Sequence, residues 1–272
     1  MVVSLVRALE RRELIGAQLR ASGVPFSFLD ATDGRDLTRF ECSFVDDRAR
    51  KAITEFPLSS GEIGCWHSHR RIMVDLAVNG PDMVAVVEDD VTVLPDFQRV
   101  LTAIERSRVA FDLLDLHRVF RPSQTFVPHS TLCEGFDIGW MRYTQMCTTG
   151  YVIRREGAIK FLQAVPRFSH AIDKSLKRWW ANGLNYFVLS QPIVSVPRNG
   201  HSQIDEEGRA TRSPYPDAQS PYWRAARLVT RSADSINKRF QFPALMRRSQ
   251  ALLPAYEDSA QPERRVQLQA AQ

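Results

Sequence analysis

Two short apolar runs flank one helical pattern within the first thirty residues, and this constrains the chain more than any other feature. Val2 to Val6 has the length and composition of a buried strand. Leu9, Leu14, Ile15 and Leu19 then recur at helical spacing, and Gly23 and Pro25 supply stop signals. Phe26 to Leu29 predicts a second strand, running into Asp30-Ala31-Thr32-Asp33-Gly34. Strand, helix, strand in so short a span calls for a parallel pair joined by a right-handed crossover.

The alternation continues. Residues 35–57 read as a connecting segment. Ser59 and Glu62 match a capping box, predicting a helix from there to Asn79-Gly80. Met83 to Val87 is a continuous apolar strand ending in Glu88-Asp89-Asp90. Pro95 opens a helix to about Ser107, and Phe111 to Leu116 is a further strand. Residues 118–143, with Pro122, Pro128 and Gly135, read as a long loop over a site. Thr148 to Ile153 is turn plus strand; Arg155–Ala164 and Ile172–Asn182 are helices; Tyr186–Leu189 and Ile193–Val196 are short strands. The pattern through residue 196 predicts an α/β sandwich. Residues 199–221 are polar and Pro-rich, 222–253 are basic with interspersed apolar side chains, and the stretch from Glu257 is expected to be disordered.

A chain of 272 residues can bury a full core without staples. Its four cysteines (Cys42, Cys65, Cys133 and Cys147) are scattered without a C-x-x-C pair, so free thiols are expected and a zinc site is not. The net charge of +5 admits nucleic acid, an anionic membrane or a phosphorylated small substrate as partner. There is no signal-peptide pattern at the N-terminus and no run of about 18 apolar residues. The expected location is cytoplasmic, with peripheral contact on the inner face of the membrane as an option.

Three adjacent acids repel one another, and a bridging Mg²⁺ or Mn²⁺ would relieve the repulsion at Glu88-Asp89-Asp90. They follow a strand, where ligands of open α/β sheets gather. An acidic turn capping the next helix is the plain alternative. His67 and His69 lie two apart on a predicted helix and so point to different faces, a poor metal pair; either could serve a ligand, a buried carboxylate or structure.

Several stretches, taken in order, resemble glycosyltransferase family 25 over roughly residues 2–205. These are Val3-Ser4-Leu5, Glu10-Arg11-Arg12, Phe28-Leu29-Asp30-Ala31, Leu58 to Cys65 with Ser68-His69, Val86 to Val91, Thr149 to Ile153, and Gly157-Ala158. The family includes bacterial enzymes that extend lipooligosaccharide and animal collagen galactosyltransferases, and this chain is similar to the bacterial branch. The resemblance implies a GT-A type, Rossmann-like nucleotide-sugar-binding sandwich with a mainly parallel sheet over residues 1–205, followed by a basic, partly helical tail over 206–272. It implies an inverting transfer of a hexose, most readily galactose from UDP-galactose, to a lipid-linked saccharide of the lipooligosaccharide or lipopolysaccharide type.

The same resemblance assigns roles. Glu88, Asp90 and His201 would hold Mn²⁺ or Mg²⁺. Ser4, Arg11, Ala31, Asp33, Ser68, His69 and Asp89 would lie about the nucleotide sugar, with Thr149 and Gly150 towards the acceptor. Asp173 would be the base that takes the acceptor proton, although the family's preceding acid is absent here. Plain alternatives stand beside these: an N-cap for Asp173, a solvated residue for Arg11, a surface loop histidine for His201. The basic tail suits an amphipathic segment at an anionic membrane, or an ordinary helix covering the core. A metal-dependent phosphoesterase or nuclease, and an inactive binding protein of the same fold, are the competing functions. Nucleic acid is not expected as a partner, because the α/β region lacks interleaved basic and aromatic residues.

Overall fold

The computed structural model describes residues 1–118, 125–141, 147–196 and 212–250. Strand β1 (Val2–Ser4), helix α1 (Leu9–Ala21) and β2 (Phe28–Asp30) form the expected unit, with β1 and β2 parallel. Helix α1 buries Ile15 and Leu19. The segment expected to be a plain connection carries two short helices, α2 (Arg39–Cys42) and α3 (Asp47–Lys51), the former closed by a Thr38/Glu41 capping box.

The predicted capping box of α4 (Ser60–Asn79) is present: Glu62 N donates to Ser59 Oγ at 3.2 Å and Ser59 N to Glu62 Oε2 at 2.9 Å. Close packing fixes where this helix sits. A Cβ on Gly64 would lie 2.5 Å from the Thr32 carbonyl oxygen, and one on Gly34 2.5 Å from the Ser60 backbone. Only glycine lets the loop after β2 press on the first turns of α4. Deeper in, Trp66 stacks on Phe168 with ring centroids 3.9 Å apart.

Then follow β3 (Met83–Glu88), β4 (Thr92–Val93), α5 (Phe97–Arg106), β5 (Leu113–Asp115), β6 (Phe126–Cys133), β7 (Phe136–Met141), β8 (Gly150–Arg154), α6 (Arg155–Ala164), α7 (Ile172–Lys177), α8 (Trp179–Asn182), β9 (Tyr186–Leu189), β10 (Val194–Ser195) and α9 (Pro221–Gln250). Eight strands make one sheet in the order β2-β1-β3-β8-β5-β9-β7-β6, and β10 pairs with β4 apart from it. Pairs β1–β2, β1–β3 and β5–β9 are parallel; β8 enters antiparallel between β3 and β5, and β7 is antiparallel to both neighbours. The fold is therefore α/β with a mixed sheet.

Part of the long loop expected over 118–143 is instead the β6–β7 hairpin, turned at Gly135 with φ +77°. Pro128 disguised it: proline is tolerated in β6 because that strand lies at the sheet edge. The single helix expected over 172–182 is two, broken at Arg178. Helix α9 lies against the core, burying Arg227 and Leu245 and setting Phe242 beside Trp179.

Candidate active site

Strand direction gathers the site. β1, β3 and β5 run the same way, and β8 runs against β3 and β5, so its start meets their ends. Ser4, Glu88, Asp115 and Gly150 therefore converge on one edge of the sheet, where ligands of α/β sheets bind.

The three consecutive acids have three different surroundings. Asp89 accepts from Ser4 Oγ at 2.6 Å and faces Arg11 Nη1 at 3.5 Å, which ties β3 to β1 and α1. Burial still raises its carboxyl above the usual range. Glu88 accepts from Thr148 Oγ1 and stands 3.7 Å from His69 Nε2. Burial opposes its ionisation, but His69, Thr148 and the Lys177 charge together hold its carboxyl below the usual range. Asp90 is pushed up to about 7, first by burial and then by the negative charges of Glu88 and Asp89, which Arg11 only partly offsets. This imbalance fits a divalent cation: hard carboxylate donors are concentrated, and one is held back from ionising by its like-charged neighbours.

Helix α4 supplies the facing wall. His69 is fully buried and its Nδ1 lies 2.8 Å from the Tyr151 hydroxyl. Cys65, one turn earlier on the same face, brings its sulfur within 4.8 Å of the nearest ligand atoms of His69 and Glu88. Burial pushes the Cys65 thiol well up, with Glu88, Asp173 and Asp90 adding to it. Cys65 is thus within electrostatic reach of Asp173 as well as of the acids that end β3. Cys65, Tyr151 and Thr148 were not singled out from the sequence; the i,i+4 spacing of Cys65 and His69 was the available signal. His67 does point elsewhere, to the Glu41 carbonyl at 3.0 Å.

The remaining predicted residues fall as follows. Ala31 N donates to the Ser4 carbonyl at 2.9 Å. Ser68 is buried, donates to the Gly64 carbonyl at 2.8 Å and accepts from Thr32 N at 2.9 Å, so it pins the loop after β2 to α4. Asp33 caps the 3-10 turn at Gly34–Asp36 and pairs with Arg7 and Arg35. Thr149 and Gly150 are buried beside Glu88, whose N–H meets the Thr149 carbonyl at 3.3 Å. Asp173 is the second residue of α7, not its cap, which is Ala171; its Oδ1 accepts from Lys174 N at 2.7 Å and it lines a cavity of about 750 Å³. His201 lies outside the described residues.

Behind the acids, the Lys177 ammonium donates to buried Asp115, which also accepts from the Tyr186 hydroxyl at 2.9 Å. Lys177→Met would strand that carboxylate in a dry site. It should cost about 3–5 kcal/mol in urea denaturation, and adding Asp115→Asn should recover most of the loss.

An α/β chain that collects carboxylates at the ends of its parallel strands is of the class that binds its ligand at that edge. Residues 1–176 match the model described as glycosyltransferase family 25 (LPS biosynthesis protein). The chain belongs to that family. It is 30% identical over 169 residues to the lacto-N-neotetraose biosynthesis glycosyltransferase LgtE of Neisseria meningitidis, covering 60% of this chain and 59% of that one. It is 26% identical over 177 residues to procollagen galactosyltransferase 1 of Danio rerio, covering 61% of this chain and 28% of the relative. It is 28% identical over 246 residues to the inactive glycosyltransferase 25 family member 3 of Homo sapiens, covering 79% and 39%. The chain thus spans well under half the length of these two animal relatives.

Proposed function

We propose that the protein is an inverting, metal-dependent hexosyltransferase of the GT-A type. It moves galactose from UDP-galactose to a lipid-linked lipooligosaccharide or lipopolysaccharide saccharide. The observation that carries this reading is the acidic cluster at the sheet edge, with Asp90 raised to about 7 by burial and by Glu88 and Asp89. Glu88 and Asp90 are the residues to hold Mn²⁺ or Mg²⁺, and His201 is a further candidate. Such a cation, when bound, neutralises the diphosphate of the departing UDP. Ser4, Arg11, Ala31 and Asp33 flank the nucleotide side. Ser68 and Asp89 brace that side, His69 orients Glu88, and Thr149 and Gly150 border the sugar. Asp173 takes the proton of the acceptor hydroxyl as it attacks the anomeric carbon. A two-metal phosphoesterase or nuclease needs further free acids, and Asp115 is already committed to Lys177 and Tyr186.

The test is UDP release by purified protein with a panel of UDP-sugars and Mn²⁺. Slow hydrolysis of UDP-galactose, abolished by EDTA and restored by Mn²⁺, is expected. Donor binding without turnover, even with a saccharide acceptor supplied, would favour the inactive state named for the human relative. Neither binding nor turnover would sink the reading.

Peripheral membrane contact is part of the same proposal. No described helix is long and apolar enough to cross a membrane. On α9, however, Tyr222, Val229, Ile236 and Phe240 share one outward face, each more than half exposed. Arg239 and Arg247 on the same helix complement anionic headgroups. The triple variant Val229→Ser, Ile236→Ser, Phe240→Ser should lose co-sedimentation with phosphatidylglycerol vesicles; undiminished binding would refute the contact. Truncating the helix would be a poorer test, because its inner face covers core residues.

A further inference from the structure

The cavity beside Asp173 has a charge pattern that proton transfer alone does not require. It lies between α9 and the α7–α8 corner and encloses about 750 Å³. Six cationic side chains line it: Arg50, Lys174, Arg178, Arg212, Arg231 and Lys238. Among the described residues three acids face them: Glu62, Asp173 and Asp234. Two of those acids are spent locally, Glu62 on Arg212 at 2.8 Å and Asp234 on Arg178 at 2.5 Å. Lys174 and Arg231 make no ion pair among the described residues. Arg50 is fixed in place by donating to the carbonyls of Phe56 and Ser169, at 2.8 and 3.1 Å.

The resulting positive field has a resident reporter. His170 is depressed to about 3, first by burial and then by the charges of Arg178, Lys174 and Arg50. It stays neutral, with Arg178 Nη1 3.2 Å from its ring nitrogens. A concave site that accumulates one sign of charge attracts the opposite sign. The same wall carries Trp180, whose ring gathers two of these cations, Lys238 Nζ at 4.2 Å and Arg178 Cζ at 5.8 Å from its centroid.

We propose that this cavity is a subsite for an anionic saccharide, one bearing a phosphate or carboxylate. The anion meets Lys174 and Arg231, and the sugar occupies the cavity between them and Asp173. The proposal rests on the transferase reading in one respect: it makes the occupant the acceptor, whose reacting hydroxyl lies at Asp173 while its anion is held further out. The acceptor class is then a charged sugar, and a neutral oligosaccharide is a poorer substrate.

Direct binding separates this inference from the catalytic one. Tryptophan fluorescence of the full chain is titrated with glucose 6-phosphate, glucuronic acid and glucose. The phosphate and carboxylate arms identify which anion is preferred. At least one charged sugar should bind about tenfold or more tighter than glucose, and added salt should erase the preference. Lys174→Gln with Arg231→Gln should lose the preference, and Lys174→Arg with Arg231→Lys should keep it, both with unchanged melting temperature. Binding of UDP-galactose should be the same in all three proteins. Equal binding of charged and neutral sugars by the parent protein would overturn the subsite, even with UDP-galactose turnover intact. Loss of UDP binding in the glutamine variant would also overturn it, by giving the cations to the donor diphosphate. Anion preference in a protein without turnover would leave the subsite standing and remove only the transferase reading.

Discussion

Asp173→Asn should lower the transfer rate by about 10³-fold, within the range that general bases supply. Asparagine keeps the shape, and its amide oxygen can still accept from Lys174 N, so the first turn of α7 is preserved. What disappears is a group able to take a proton from the attacking hydroxyl. The donor-side residues Ser4, Arg11 and Asp89 belong to β1, α1 and the turn after β3, whereas Asp173 belongs to α7, so the affinity for UDP-galactose should not change. The effect therefore belongs in kcat with little in the donor KM. Single-turnover transfer at saturating donor and acceptor measures it. A fall of less than about tenfold would assign the proton to another group.

Asp90→Asn should cost a similar factor in transfer, about 10³-fold, while making the metal-free protein more stable near neutral pH. The two effects share one cause. In the fold, the Asp90 carboxyl rises from 3.8 to about 7 through burial and the charges of Glu88 and Asp89. A carboxyl that holds its proton more tightly when folded contributes stability that is complete below 3.8 and lost as the pH rises through about 7. Above that window the parent protein carries a buried, repelled carboxylate, and asparagine removes it. The variant should thus lack this part of the alkaline loss in melting temperature. Mn²⁺ should raise the melting temperature of the parent protein and leave that of the variant nearly unchanged, because a ligand stabilises only the state that binds it. A variant that keeps both transfer and the Mn²⁺ response would remove Asp90 from the metal site. Such a trade of stability for function is common where charge is concentrated for chemistry.

The parts of the molecule that were legible beforehand are those written in short-range pattern. The unit β1-α1-β2 follows from apolar runs and a glycine-proline stop, and α4 begins where Ser59 and Glu62 cap it. The acids at Glu88, Asp89 and Asp90 were recognisable because they end a continuous apolar strand. The misreadings arose where context outweighs pattern. Pro128 argues against a strand until β6 is known to be an edge, and Arg178 breaks a segment whose periodicity runs straight through it.

The differing states of three adjacent acids lay beyond such reading. Asp89 is held by Ser4 and Arg11, 85 and 78 positions earlier in the chain, and Glu88 by Thr148, 60 positions later. Lys177 reaches Asp115 across 62 positions. Hydrophobic periodicity is a property of neighbours along the chain, so strands, helices and the acidic cluster could be read from order alone. Desolvation and charge compensation act through space. Which carboxylate is tied, which is frustrated, and which opens on a cationic cavity are settled by β8 lying between β3 and β5 and by α9 packing against α8.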